Sequence, residues 1–213
     1  MTAKVNRRMK RWQEQRWILD AVIRTVGVEW DQGRIRYMSA PVAPAGVPEF
    51  RAAGDRVKKV SDFAREFNTA AKKREAKALA FEQAGRTIAA RESYLTASLL
   101  WATARWPIFE VDEELIEQEE RMNHCFEKYI EYANRPIEIV RIPFEGKELH
   151  AYLHLPREPE KGETFPCIIN IPGMDSCKES GVSMYGDAYL ERGIAVLSID
   201  GPGQAESVTL GIY

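Results

Sequence analysis

Pro166-Cys167-Ile168-Ile169-Asn170-Ile171-Pro172-Gly173-Met174-Asp175-Ser176 and, further on, Ile194-Ala195-Val196-Leu197-Ser198-Ile199-Asp200-Gly201-Pro202-Gly203-Gln204 are the stretches whose reading decides the fold. Each is a short apolar run closed by Gly and Pro. Runs of this kind fit strands covered on both faces, as in a parallel sheet. Between them, Tyr185 to Arg192 reads as a helix stopped by Gly193, which completes a strand, loop, helix, strand unit. Just upstream, Ile137–Pro143 and Glu148–Leu155 form a hairpin turned at Glu145-Gly146-Lys147, and Pro156 to Thr164 is a polar loop.

Before residue 135 the apolar spacing changes to three and four. Trp12, Ile18, Leu19, Val22, Ile23 and Val26 predict a helix from Lys4 to Val26. Pro41, Pro44, Gly46 and Pro48 mark a loop. A helical stretch follows from Pro48 to Ala84, broken near Gly54 and ended by Gly85. Thr87 to Arg105 is the next helix, stopped by Pro107. Asp112 then caps a helix reaching Tyr132, with Glu113 and Glu114 at the positive end of its dipole. Charge divides the chain at the same place. Residues 1–135 carry 24 Lys+Arg and 20 Asp+Glu, whereas residues 136–213 carry 6 and 12. All five Trp lie in the first part. The expectation is an α/β chain with an all-helical domain over 1–135 and a sheet-bearing part over 136–213.

Composition excludes several classes. The 213 residues carry 30 Lys+Arg against 32 Asp+Glu, a net charge of −2, which does not fit a dedicated nucleic-acid binder. A hydrophobic content of 45% argues against disorder of the whole. No apolar run approaches the roughly 20 residues of a membrane helix, and the basic start leads into no secretory h-region. Three cysteines without metal-like spacing point to a reducing compartment, so a cytoplasmic protein that binds neither nucleic acid nor membrane is expected.

The wording of the two loops is more specific than their topology. Pro172-Gly173-Met174-Asp175-Ser176-Cys177-Lys178-Glu179, followed by Asp200-Gly201-Pro202-Gly203-Gln204-Ala205-Glu206-Ser207, resembles the α/β-hydrolase superfamily. The resemblance is to the branch with an N-terminal helical cap, which includes 2,6-dihydroxypseudooxynicotine hydrolase and the fungal polyketide chain-shortening hydrolases. Gly85-Arg86-Thr87-Ile88-Ala89-Ala90 and Tyr94-Leu95-Thr96-Ala97 fit the same branch. The resemblance implies a helical cap over the first part of a hydrolase sheet. It also implies a serine-type enzyme that cleaves an ester, a thioester or a ketone-activated C–C bond in a small acyl or diketone-type substrate, without a cofactor. The branch pattern usually has Gly where Ala205 stands.

A nucleophile elbow needs Gly-x-Ser-x-Gly between strand and helix. Gly181-Val182-Ser183-Met184-Tyr185-Gly186 and Gly173-Met174-Asp175-Ser176-Cys177 lack that spacing. The expectation is therefore an N-terminal half whose nucleophile, base and acid lie in a missing C-terminal half or a second chain. Without that half, Cys167–Ile171 would form an open, apolar sheet edge, and the chain alone would associate. A homo-oligomer stays open.

The resemblance gives the backbone N–H of Met174, with Gly173 beside it, the role of oxyanion donor. The residue-based alternative is an ordinary strand-to-helix turn. Asp175, Ser176, Lys178 and Glu179 read as a loop-fixing network, with Ser or Asp capping the helix and Lys pairing with Glu; the alternative is a solvated helix start. Gly201, Gly203 and Gln204 shape a turn at the ligand-facing end of a strand and lack the G-x-G-x-x-G phosphate fingerprint. Trp101, Trp106 and Phe109 are candidates for a substrate pocket at the junction, against the alternative of bundle core. His150 and His154 share a strand face but are too far apart to form an obvious metal site, and His124 and Cys125 point away from each other on a helix. A non-catalytic helical binding module fused to a sheet remnant is the competing reading of the whole chain.

Overall fold

The computed structural model describes residues 7–30, 33–106, 111–173, 175–182 and 187–213, with side chains from residue 15 onward. Six helices come first: α1 (Arg7–Val26), α2 (Arg34–Ser39), α3 (Val47–Gly54), α4 (Val60–Gln83), α5 (Thr87–Ala104) and α6 (Glu113–Glu131). Strands β1 (Ile137–Phe144), β2 (Lys147–His154) and β3 (Cys167–Asn170) follow, then the single turn α7 (Lys178–Gly181), β4 (Ala195–Ile199) and α8 (Ala205–Thr209).

The helix boundaries have local causes. Asp112 caps α6, accepting a 2.9 Å hydrogen bond from the Leu115 amide. Gly85, at φ +69, lets the chain reverse between α4 and α5, which pack along their length. Phe50, Phe63 and Phe67 are fully buried there, the last two stacked at 4.8 Å. The loop expected over Pro41–Pro48 is shorter than the sequence indicates. Arg34–Ser39 is helical and continues into a 3₁₀ turn at Ala40–Val42, with Pro41 at a first-turn position that tolerates it.

The sheet order is β1-β2-β4-β3, antiparallel except for the parallel pair β3 and β4. The hairpin turns on Glu145 and Gly146, both at positive φ, the pattern that matches strand twist in a two-residue connection. The predicted helix at Tyr185–Arg192 is corrected within the described residues to a 3₁₀ turn, Leu190–Arg192. Asp187 stands at φ +57, and Arg135 holds its carboxylate through both guanidinium ends at 2.6 and 3.2 Å, which draws the residue out of a helical path. Gly193, at φ +74, ends the turn as the sequence indicates.

Helices and sheet share one core. Phe126 of α6 lies 4.6 Å from Tyr152 of β2, and the buried cluster runs from Phe50 to Ile137, Tyr152, Cys177 and Ala205. β3 is one edge of the sheet and β1 the other. Ile169 of β3 and the following Ile171 are 64% and 65% exposed.

Candidate functional site

The loops leaving β3 and β4 lie side by side because those strands are parallel and adjacent. The carboxyl ends of parallel strands are where ligands bind in open α/β sheets. Gln204 ties the two loops together: its amide nitrogen donates to the Pro172 carbonyl, and its Oε1 accepts from the Gly201 amide at 3.1 Å. A methyl group built on Gly201 would lie 2.9 Å from that Oε1, so the glycine keeps room for the brace. Gly203, at φ +76, donates to the Ile212 carbonyl at 2.9 Å and turns the chain back. Gly173 is exposed, and a methyl group there would meet no atom within 4 Å. The space beside its backbone is open.

Where the Gly173 loop runs into α7 sits a buried ionic cluster. The Lys178 side chain is 1% exposed; its Nζ lies 2.7 Å from Glu179, 3.2 Å from Asp200 and 2.8 Å from Glu206, and donates to Asn123 of α6 at 3.3 Å. The Lys178 backbone N–H also donates to Asp200 at 2.8 Å, and Ser198 Oγ donates to the Lys178 carbonyl at 2.9 Å. Close by, Arg105 at the end of α5 pairs with Glu119 of α6 at 3.0 Å. His150 completes the chain of contacts, with Nδ1 2.8 Å from Glu206. α7 packs too closely for larger residues: a methyl group on Gly181 would lie 2.0 Å from the Asn170 amide.

Two cations here face four carboxylates, and the balance appears in their proton affinities. Burial pushes the Asp200 carboxyl up to about 6, with Lys178 pulling it back, and pushes Glu119 up to about 7 despite Arg105. Burial alone would lower the Lys178 ammonium, but Glu179 and Asp200 hold it well above its ordinary range. The Cys177 thiol, raised by burial, is not a nucleophile at neutral pH. Lys178 is thus a fixed charge rather than a base.

A model of the family described as "Esterase FrsA-like" matches residues 60–210, more than half of the chain. The chain belongs to the FrsA-like esterase family. Among curated relatives it is 27% identical over 131 residues to Esterase FrsA of Photobacterium profundum, covering 62% of this chain and 30% of that protein. It is 34% identical over 140 residues to alpha/beta hydrolase psoB of Aspergillus fumigatus, covering 62% of this chain and 31% of that protein. The crystal structure of 2,6-dihydroxy-pseudo-oxynicotine hydrolase superposes with a TM-score of 0.61 at 24% identity, covering 81% of this chain and 46% of the other. This FrsA-like chain therefore spans under a third of the length of these two curated relatives, and its fold is that of an α/β hydrolase with helices ahead of the sheet.

On this FrsA-like framework the predicted residues separate. Gly173, Asp175, Ser176, Lys178, Glu179, Gly201, Gly203 and Gln204 gather at the two loops, while Met174, Phe109 and Ser183 lie outside the described residues. Neither Asp175 nor Ser176 caps α7: its N-cap is Cys177, which makes no side-chain capping bond, and the first amide is taken by Asp200. Ser176 instead meets Ser180, their oxygens 2.9 Å apart, and Asp175 turns to Arg34 of α2 at 2.8 Å. The solvated-helix-start alternative is excluded for Lys178 and Glu179, whose side chains are buried.

Trp101 requires a correction. It is fully buried in the helical core, donating to Glu75 at 3.1 Å, which is the bundle-core alternative. α5 buries nearly its whole circumference, so its Trp falls inward. Trp106 is half-buried and lies under the Arg34 guanidinium. His154 is buried against Phe126, its imidazole pushed down to about 3 by burial. Arg34, Arg105, Glu119 and Asn123 were missed by sequence reasoning. The acidic run Glu117–Glu120 offered a signal: a helix with a buried face cannot leave all its carboxylates in water.

Proposed function

We propose that this chain forms the N-terminal part of a serine-type α/β hydrolase that cleaves an acyl bond in a small substrate: an ester, a thioester or a ketone-activated C–C bond. In this reading residues 1–135 form the cap and residues 136–213 begin the hydrolase domain. The observation that carries it is the open backbone at Gly173, in a loop fastened before it at Pro172 by Gln204 and after it at the Lys178 amide by Asp200. Attack on a carbonyl places negative charge on its oxygen, and a fixed N–H in a loop that does not reorganise is what that charge needs. Met174 N–H is the proposed donor, with Gly173 leaving room for substrate.

The attacking Ser, its His base and the orienting acid would come from sequence beyond this chain or from a second chain, seated against the β3 edge where Ile169 and Ile171 are exposed. The proposed setting is cytoplasmic. The three cysteines are unpaired, and no helix among the described residues is long and apolar enough to cross a membrane.

The test is p-nitrophenyl acetate turnover by the protein expressed from its whole reading frame, beside the 213-residue chain. The whole protein should turn over and the 213-residue chain should not. Gly173→Pro in the whole protein should lower kcat about 10²–10³-fold while leaving folding largely intact, the loss typical of one oxyanion donor. Turnover by the 213-residue chain that disappears in Ser183→Ala would overturn this assignment. A whole protein that binds acyl compounds but never hydrolyses them would favour the binding-module reading.

A further inference from the structure

We propose that Arg34 is a positioning residue for the Gly173 loop, carrying the packing of the helical core to that loop through its ion pair with Asp175. Its catalytic consequence rests on the oxyanion reading above; the mechanical link does not.

Arg34 opens α2 and is 2% exposed. Its guanidinium stays charged at any ordinary pH, so its burial requires compensation. Among the described residues, two contacts contribute to it. Nη2 lies 2.8 Å from Asp175 Oδ2, and the guanidinium carbon sits 3.6 Å above the centroid of the Trp106 ring. Trp106 packs on Phe63 at 5.1 Å, and Phe63 stacks on Phe67 at 4.8 Å. A continuous row, Phe67, Phe63, Trp106, Arg34, thus leads from the interior of the helical part to Asp175.

Asp175 is two residues beyond Gly173, and the next amide, Ser176 N–H, donates to the Gly173 carbonyl at 3.1 Å. Moving the Asp175 carboxylate therefore moves the turn that carries Gly173. The loop's other fastenings come from elsewhere: Gln204 holds Pro172, and Lys178 holds the far end against Asp200 and Asn123. Arg34 ties the loop to α2 through Asp175. An oxyanion donor is effective only within a few tenths of an ångström of its place. Loosening the tie should act on the transition state and leave ground-state binding nearly alone.

The test uses Asp175→Asn, Asp175→Glu and Arg34→Lys in the whole protein, with two readouts. The first is amide hydrogen exchange at Ser176. Asp175→Asn should speed it about tenfold or more, the equivalent of one charge-assisted hydrogen bond, with α4 and α5 unchanged. The second is p-nitrophenyl acetate kinetics: kcat should fall about tenfold with KM within about twofold, and Asp175→Glu should recover part of the loss. Arg34→Lys should move both readouts in the same direction. Asp175 is partly exposed, so Asp175→Asn decides the matter if Arg34→Lys fails to fold. Unchanged Ser176 exchange in Asp175→Asn overturns the tie. Faster exchange with unchanged kcat overturns its role in positioning. A wild-type protein with no turnover sinks the oxyanion reading, and the exchange result then decides the tie alone.

Discussion

The core between α4 and α5 and the floor of the Gly173 loop are both buried, but by opposite means. The first is held by Phe50, Phe63, Phe67 and Trp101, with the Trp101 indole donating to Glu75. The second buries Lys178, Glu179, Asp200 and Glu119 where apolar side chains of equal volume would pack at least as stably. The difference teaches that the loop floor is shaped for geometry rather than for stability. An apolar core accepts volume-conserving repacking, whereas a lysine shared by three carboxylates has one position that satisfies them all.

The largest effect should come from removing the shared cation. Lys178→Met leaves Glu179, Asp200 and Glu206 around an apolar side chain. The expected loss is about 3–5 kcal/mol, the usual result of breaking a buried ionic group on one side. Urea unfolding of the chain measures it. A loss below about 1 kcal/mol would mean that the carboxylates simply take up protons, and the contrast between the two regions would weaken.

Phe67→Ala tests the other region and should cost about 3–5 kcal/mol as well, because the ring is fully buried in a stack. The two variants should differ in their dependence on pH rather than in size. The Phe67→Ala loss should stay constant from pH 5 to pH 8, and the Lys178→Met loss should shrink toward pH 5 as the carboxyls accept protons. Parallel urea titrations at the two values are the check. If both losses track pH alike, the regions are not electrostatically distinct.

The two regions were also unequally legible in the sequence. The helices around Phe63, Phe67 and Trp101 follow from three-to-four spacing, the turn at Gly85 from its glycine, and the Asp112 cap from its chemistry. The hairpin at Glu145-Gly146 and the strands through Ile168 and Val196 follow from alternation and apolar runs. The loop floor does not repeat along the chain. Arg34 meets Asp175 across 141 positions and Lys178 meets Asn123 across 55, and neither separation leaves a periodic trace. α2 was hidden because its six residues are too few to display a face before Pro41 interrupts. Trp101 could be read either as core or as junction pocket because its helix is buried around nearly its whole circumference with Ala, Ser and Thr among the apolar residues, so no single face stands out.

Glu119→Gln should give a smaller effect of the opposite sign. The folded protein holds the Glu119 carboxyl at about 7, above its ordinary value near 4.5, so the folded state binds this proton more tightly than the unfolded chain. Stability from this group is complete below about pH 4.5 and is lost as pH rises through 7. Gln mimics the protonated form. The variant should match the wild type within about 1 kcal/mol at pH 5 and exceed it by about 2–3 kcal/mol at pH 8. Thermal unfolding at both values decides. A variant equally destabilised at both would show that the Arg105 ion pair outweighs the burial of Glu119.

Ala205→Gly should give the smallest effect, and it probes a boundary between the regions. Ala205 starts α8 at φ +41, in the left-handed region where a Cβ is strained by about 1–2 kcal/mol. The branch this chain resembles usually has glycine at this position, and the backbone supplies the reason. Glycine removes the strain but loses two other contributions. Its unfolded chain is freer by about 0.4–1 kcal/mol. The Ala205 methyl is also buried in the shared core, where a buried carbon is worth about 0.8 kcal/mol. The three contributions nearly cancel, so stability should move by less than about 1 kcal/mol either way. Ala205→Val adds a β-branched side chain to the same left-handed backbone and should lose clearly more. Equal melting temperatures for the Gly and Val variants would show that α8 shifts to relieve the strain, and that its attachment to the loop floor is looser than the Lys178–Glu206 contact indicates.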